Sequence, residues 1–214
     1  SLTDIWQHSL SVGHSYERLE TPAFSSVFGS HRLAVDWLNS FSLNDQNSFN
    51  VGLNWSEEKG TSEDFGLVSI DQTRRNTGVF ASWNGEFSIN RFELTVRRDD
   101  NSQFGGKTTG QAAWGIQIND DLRLRASWGQ GYRAPNFNEL YYPGFFGLFQ
   151  GNDALQPEKS NSFELGLRWD QDERQQWEVS AFRTRVDDLI SFEGVNFQAI
   201  NINKAALDGF EAGY

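Results

Sequence analysis

The chain has 214 residues, a formal net charge of −11 and no cysteine. That acidity excludes a phosphate backbone as partner, so no nucleic acid is expected, and the missing thiols remove disulfides, thiolate catalysis and thiolate zinc sites. No apolar run approaches the roughly 18 residues of a membrane-spanning helix, although transmembrane barrels, in which only alternate residues need be apolar, escape that criterion.

Aromatics at 14 %, with 20 glycines and only 4 prolines, fit an all-β chain rich in turns. The sequence starts at Ser1 without an apolar leader and stops at Tyr214 inside a strand-like pattern. It therefore reads as a fragment, with residues 1–214 forming part of one domain and no second domain.

Period-2 alternation marks the strands. Trp6, Leu10, Val12 and Tyr16 share one face of the first segment; Leu33, Val35, Trp37, Phe41 and Leu43 share one face of the second. Phe49, Val51, Leu53 and Trp55 alternate with Ser48, Asn50, Gly52 and Asn54. Segments 79–83, 92–96, 112–118 and 122–128 continue the series, with Arg123 and Arg125 in the polar phase. After a long interruption come 162–169 and 177–181, where the phase slips at Phe182 and predicts a bulge. A last strand begins near Ala205.

The connections alternate in length. Segments 44–47, 88–91, 119–121 and 170–176 are short, whereas 17–30, 57–74, 99–107, 133–161 and 187–203 are long. Short turns at one end and long loops at the other are the pattern of an up-and-down antiparallel barrel in the bacterial outer membrane. A soluble sandwich also gives each strand one apolar face, and no repeat period supports a propeller. All eight tryptophans fall in the apolar phase, most near a strand end, which suits a membrane-interface girdle. On a lipid face Arg123 and Arg125 would each cost roughly 2–4 kcal/mol near the midplane; in the opposite phase they face a polar lumen.

No constellation supports catalysis, so the chain is not expected to be an enzyme. His8, His14 and His31 are the only histidines, and they form no simple paired metal site. Glu57, Glu58, Glu63, Asp64 and Asp71 make one long connection acidic. Calcium favours such oxygens, but the spacing matches no calcium loop, and a solvated acidic surface is the better reading. No cofactor and no metal are expected.

In the longest connection, Asn136 is a candidate N-cap with Glu139 at N3. Tyr141, Tyr142, Phe145, Phe146 and Phe149 then form an aromatic tip. Such a cluster either marks a contact site or packs on neighbouring loops to close a barrel mouth.

Gly131-Tyr-Arg-Ala-Pro-Asn-Phe-Asn-Glu-Leu140, with Gly151-Asn-Asp-Ala-Leu-Gln-Pro-Glu-Lys-Ser160 and Glu164-Leu-Gly-Leu167, resembles the barrel of TonB-dependent outer-membrane receptors. Asn201-Ile-Asn-Lys-Ala205 and Gly209-Phe-Glu211 look like that family's next motif. Pro135, Glu139, Gly151, Asn152, Pro157, Glu158, Ser160, Lys204, Gly209 and Glu211 carry the resemblance in structural roles. Asp153 departs from the family's usual proline and Asn203 from its common aspartate. Segments 74–80 and 99–105 look closer to the cobalamin branch than to the siderophore branches.

The resemblance implies a barrel of about 22 strands, of which this chain would supply about ten, filled by an N-terminal plug that is absent here. It also implies TonB as a partner through a missing N-terminal box, a cobalamin or siderophore ligand, and outer-membrane lipid around the wall. Expected ligand contacts are Tyr132, Arg133, Asn136, Tyr141, Tyr142 and Phe145. A β-rich glycan-binding module using the same aromatics is the alternative from another class.

Overall fold

The computed structural model describes residues 5–144, 146–172 and 175–214. Ten strands form one antiparallel sheet in strict chain order. They are β1 (Trp6–Thr21), β2 (Ser26–Asn44), β3 (Asn47–Asp64), β4 (Leu67–Phe87), β5 (Asn90–Asn101), β6 (Gly105–Gln117), β7 (Leu122–Arg133), β8 (Glu158–Asp172), β9 (Gln175–Glu193) and β10 (Gln198–Gly213). A short helix, α1 (Phe137–Tyr141), sits in the connection between β7 and β8. The all-β, up-and-down expectation holds.

Four of the five long connections are mostly strand. Pairing runs on to Thr21↔Ser26, Asp64↔Leu67, Asn101↔Gly105 and Gln198↔Glu193, leaving turns at 22–25, 65–66, 102–104 and 194–197. The cause is chemical. Beyond Trp55 and Val79 the formerly apolar phase is occupied by Glu57, Lys59, Asp71 and Arg75, so the hydrophobic period disappears while the hydrogen-bond ladder continues. Arg75 pairs with Glu57 at 2.6 Å and Lys59 with Asp71 at 2.9 Å across this hydrated extension. Trp55 and Trp128 consequently lie inside their strands and mark the upper edge of the apolar belt rather than a strand end.

The bulge expected at Phe182 is also absent. Phe182 stays in register between Glu164 on β8 and Gly209 on β10. Its ring occupies the polar face, filling the space over Gly209, where an added Cβ would meet it at 2.1 Å. Phe80 does the same over Gly52. An inward aromatic opposite a glycine thus imitates a phase slip; the register shift between β8 and β9 lies at Asp170/Asp172 instead.

The two faces carry different chemistry. On the apolar face, Leu10, Val12, Leu94 and Leu165 are exposed, as side chains solvated by lipid would be. Its lower rim is aromatic: Trp6 stacks on Phe41 at 5.9 Å, and Trp177 meets Tyr214 at 4.5 Å. The indole N–H groups of Trp6, Trp83 and Trp114 donate to Asn39, Asn47 and Asn90, leaving ring bodies for the acyl region and polar edges for the headgroups. The polar face holds ion pairs such as Arg125 with Glu164 (3.1 Å) and Glu178 (2.7 Å). The one buried apolar cluster among the described residues, Leu140, Leu155 and Ala199, lies where the long connection meets β10.

Candidate functional site

The 134–157 connection folds back over the polar face at the end of the sheet opposite the short turns. Its entry is fixed by a capping box. The Asn136 side chain accepts from the Glu139 amide (2.8 Å), and the Glu139 carboxylate accepts from the Asn136 amide (2.7 Å). Phe137 then seats on β3 where Gly60 leaves room; a Cβ at that glycine would lie 2.4 Å from the ring. Arg74 on β4 stands 4.9 Å above the same ring, donates to the Pro135 carbonyl at 2.6 Å and pairs with Glu58 at 3.0 Å. Glu58, Gly60 and Arg74 all belong to the polar phase, so the covered face is the lumenal one.

The return is tied as firmly. The Gly151 amide donates to the Tyr142 carbonyl and that of Asn152 to the Glu139 carbonyl, both at 2.8 Å. An added Cβ at Gly151 would come within 2.8 Å of that backbone, which explains the glycine. Asn152 Nδ2 reaches the Ala199 carbonyl (3.1 Å), while Asn201 accepts from the Gln156 amide (2.8 Å) and donates to its carbonyl (2.9 Å). At the tip Phe149 stacks on Phe197 with centroids 5.4 Å apart.

Arg133 closes the base of the connection. It grips Glu158 through Nε and Nη2, each at 2.7 Å, and Glu139 through Nη1 at 3.0 Å. Hydrogen bonding to Glu158 raises the arginine's pKa well above its ordinary value, with Glu139 adding to the effect. The same contact holds the Glu158 carboxyl below its usual range against the effect of burial, helped by the Ile190 amide.

Between this base and β2–β6 lies an open cavity of about 470 Å³, lined by Arg32, Glu58, Arg74, Arg97, Asp99 and Tyr132 among others. Burial pushes the Asp99 carboxyl up, but hydrogen bonds from Arg97 and Asn76 more than offset this and leave it lowered. Burial raises the Tyr132 phenol, so its hydroxyl is a neutral donor near neutral pH.

The expected contact residues do not converge on one cavity. Tyr132 and Arg133 line the one just described. Asn136 is the helix cap, and the Tyr141 hydroxyl accepts from Gln103 Nε2 at 2.6 Å. Tyr142 lines a separate groove of about 400 Å³ with Asp64, Phe65, Pro143 and Phe146. Phe145 lies outside the described residues. Of the motif residues, Pro135 and Pro157 are buried, Ser160 packs under Gly131, Lys204 is in register with Asp187, and Glu211 pairs with Ser180.

Sequence reasoning missed Arg32, Arg74, Arg97 and Asp99. A signal was available: Glu57-Glu58 and Arg74-Arg75 are mirror images about the Phe65–Gly66 turn, as a continuous hairpin requires. The same pairing shapes the acidic connection. Glu57, Glu58 and Asp71 are neutralised by Arg75, Arg74 and Lys59, and no group of three or more metal-ligating side chains occurs among the described residues.

Comparison with known proteins places this architecture. The family model for the TonB dependent receptor-like β-barrel matches residues 1–214. The vitamin B12 transporter BtuB of Photobacterium profundum is 28 % identical over 193 residues, covering 87 % of this chain and 30 % of that protein. The siderophore receptor PirA of Pseudomonas aeruginosa superposes with a TM-score of 0.80 at 19 % identity, over 98 % of this chain and 41 % of that one. The copper transporter OprC gives 0.81 at 18 % identity, over 99 % and 40 %. This chain therefore spans less than half the length of these relatives, which are transporters and receptors rather than enzymes, and a glycan-binding module is set aside. The chain belongs to that family: its ten-stranded antiparallel meander is a segment of a bacterial outer-membrane TonB-dependent receptor β-barrel.

Proposed function

We propose that this chain is the central wall of a receptor barrel of about 22 strands that imports cobalamin or a related corrinoid using energy delivered by TonB. The plug and the TonB-contacting box would belong to the parent protein. The observation that supports the ligand best is the similarity to the vitamin B12 transporter along 87 % of the chain. Segments 74–80 and 99–105, which carry the branch resemblance, supply Arg74, Asn76 and Asp99 to the roofed cavity. Tyr132 at the cavity wall, Tyr142 in the neighbouring groove and Tyr141 in the roof offer ring faces with polar edges, suited to a large amphipathic ligand.

A ferric siderophore is the second reading, favoured by the arginines lining the cavity and by the likeness to siderophore receptors. Deletion of the complete gene separates the two. Loss of labelled cyanocobalamin uptake, with ferric chelate uptake intact, is the expected result; the reverse pattern would move the ligand to the siderophore class.

A further inference from the structure

We propose that Arg133 is a positioning residue that holds the roof of the mouth in place, rather than a contact for the ligand. Each of its three guanidinium nitrogens already donates to a carboxylate: Nε to Glu158, Nη2 to Glu158 and Glu139, and Nη1 to Glu139. Both acceptors are shared with backbone. Glu139 also takes the Asn136 amide at 2.7 Å, and Glu158 takes the Ile190 amide at 2.8 Å. One side chain thereby joins β7, α1, β8 and β9.

The environment makes the arginine hard to replace. The Glu139 and Glu158 side chains are only 12 % and 14 % exposed, against 44 % for Arg133. Without the guanidinium, two nearly buried carboxylates face each other uncompensated, a state relieved by releasing α1. Lysine is a point charge and cannot bridge both acceptors in the planar fork that arginine provides. Release would travel onward. The Glu139 carbonyl receives the Asn152 amide, the Tyr142 carbonyl receives Gly151, and the Tyr141 hydroxyl braces Gln103 at the β5–β6 turn. Displacing the clamp therefore moves Tyr141 and Tyr142 without touching them.

The inference rests on the receptor reading for its binding readout only; a second readout needs no ligand. In the complete receptor purified in detergent, amide exchange at Leu140, Tyr142, Gly151 and Asn152 reports the roof. R133A and E158Q should each speed it about tenfold or more, R133K should restore it only in part, and the double variant R133A/E158Q should be no faster than either single. Cyanocobalamin affinity should fall together in R133A and E158Q. Affinity at the wild-type level in E158Q but lost in R133A would show a direct contact and overturn the proposal, as would unchanged exchange in both. Should R133A fail to assemble, E158Q and R133K carry the same comparison. Wild-type receptor that ignores cyanocobalamin would sink the ligand reading and leave the exchange result to decide the clamp.

Discussion

Leu124 and Arg125 are adjacent on β7 and face opposite solvents, so exchanging their chemistry tests the wall directly. Leu124 lies in the apolar phase, in register with Ile116 on β6 and Leu167 on β8. Arginine there replaces a lipid-solvated alkyl group with a guanidinium, at roughly 2–4 kcal/mol near the midplane. Arg125 faces the other way and pairs with Glu164 and Glu178. All three side chains are more than a third exposed, so each pair contributes about 0–1 kcal/mol after screening. Leucine at 125 leaves two carboxylates that lumenal water can solvate. L124R should therefore shift the urea midpoint for folding of the complete barrel into phosphatidylcholine vesicles much further than R125L, with heat-modifiable mobility as the folding assay. Equal shifts, or a larger one for R125L, would refute the assignment of faces.

Three further outcomes follow from the mouth. Glu158 is held below its ordinary range in the folded roof, so its contribution is complete above the unfolded value and is lost as pH falls through the depressed one. A spin label at N138C should stay immobile from pH 8 to about 5 and loosen only below about pH 4; loosening near pH 6 would contradict the clamp. Gly60→Val should push Phe137 off β3 at a cost of about 1–3 kcal/mol, seen as protease nicking of the roof in a barrel that still assembles. Phe65 holds a left-handed backbone (φ 53°) before Gly66 (φ 82°) in the two-residue β3–β4 turn. Its ring is 66 % exposed, so Phe65→Asn should gain about 1 kcal/mol in urea denaturation.

What the sequence could reveal was set by where one solvent meets another. Between Phe49 and Trp55 the strand separates lipid from lumen, so its side chains alternate and its phase is legible. Four residues on, Lys59 is exposed and Gly60 lies under the Phe137 ring of the roof, and the same strand continues without any hydrophobic period. Hydropathy reports the burial of side chains, whereas the ladder is held by backbone groups that leave no mark on it. Only cross-strand charge, Glu57 with Arg75 and Glu58 with Arg74, carries the register through that region, and it becomes visible once the turn at 65–66 is known.

The roof is the opposite case. Asn136 and Glu139 sit three apart because a capping box needs that spacing, so local sequence specified α1 correctly. Its destination was not local. Phe137 finds Gly60, Arg74 finds the Pro135 carbonyl, and Tyr141 finds Gln103, contacts that join segments 38 to 77 residues apart and leave no periodic trace. The aromatic tip posed a choice between binding a ligand and closing the mouth, and the contacts divide it. Tyr141 is braced to the β5–β6 turn and Phe149 is stacked on Phe197, while Phe146, 92 % exposed, lines a groove with Tyr142. A base held by contacts this distant in sequence keeps the mouth of the barrel shaped. In that division of labour the family motif belongs to the base.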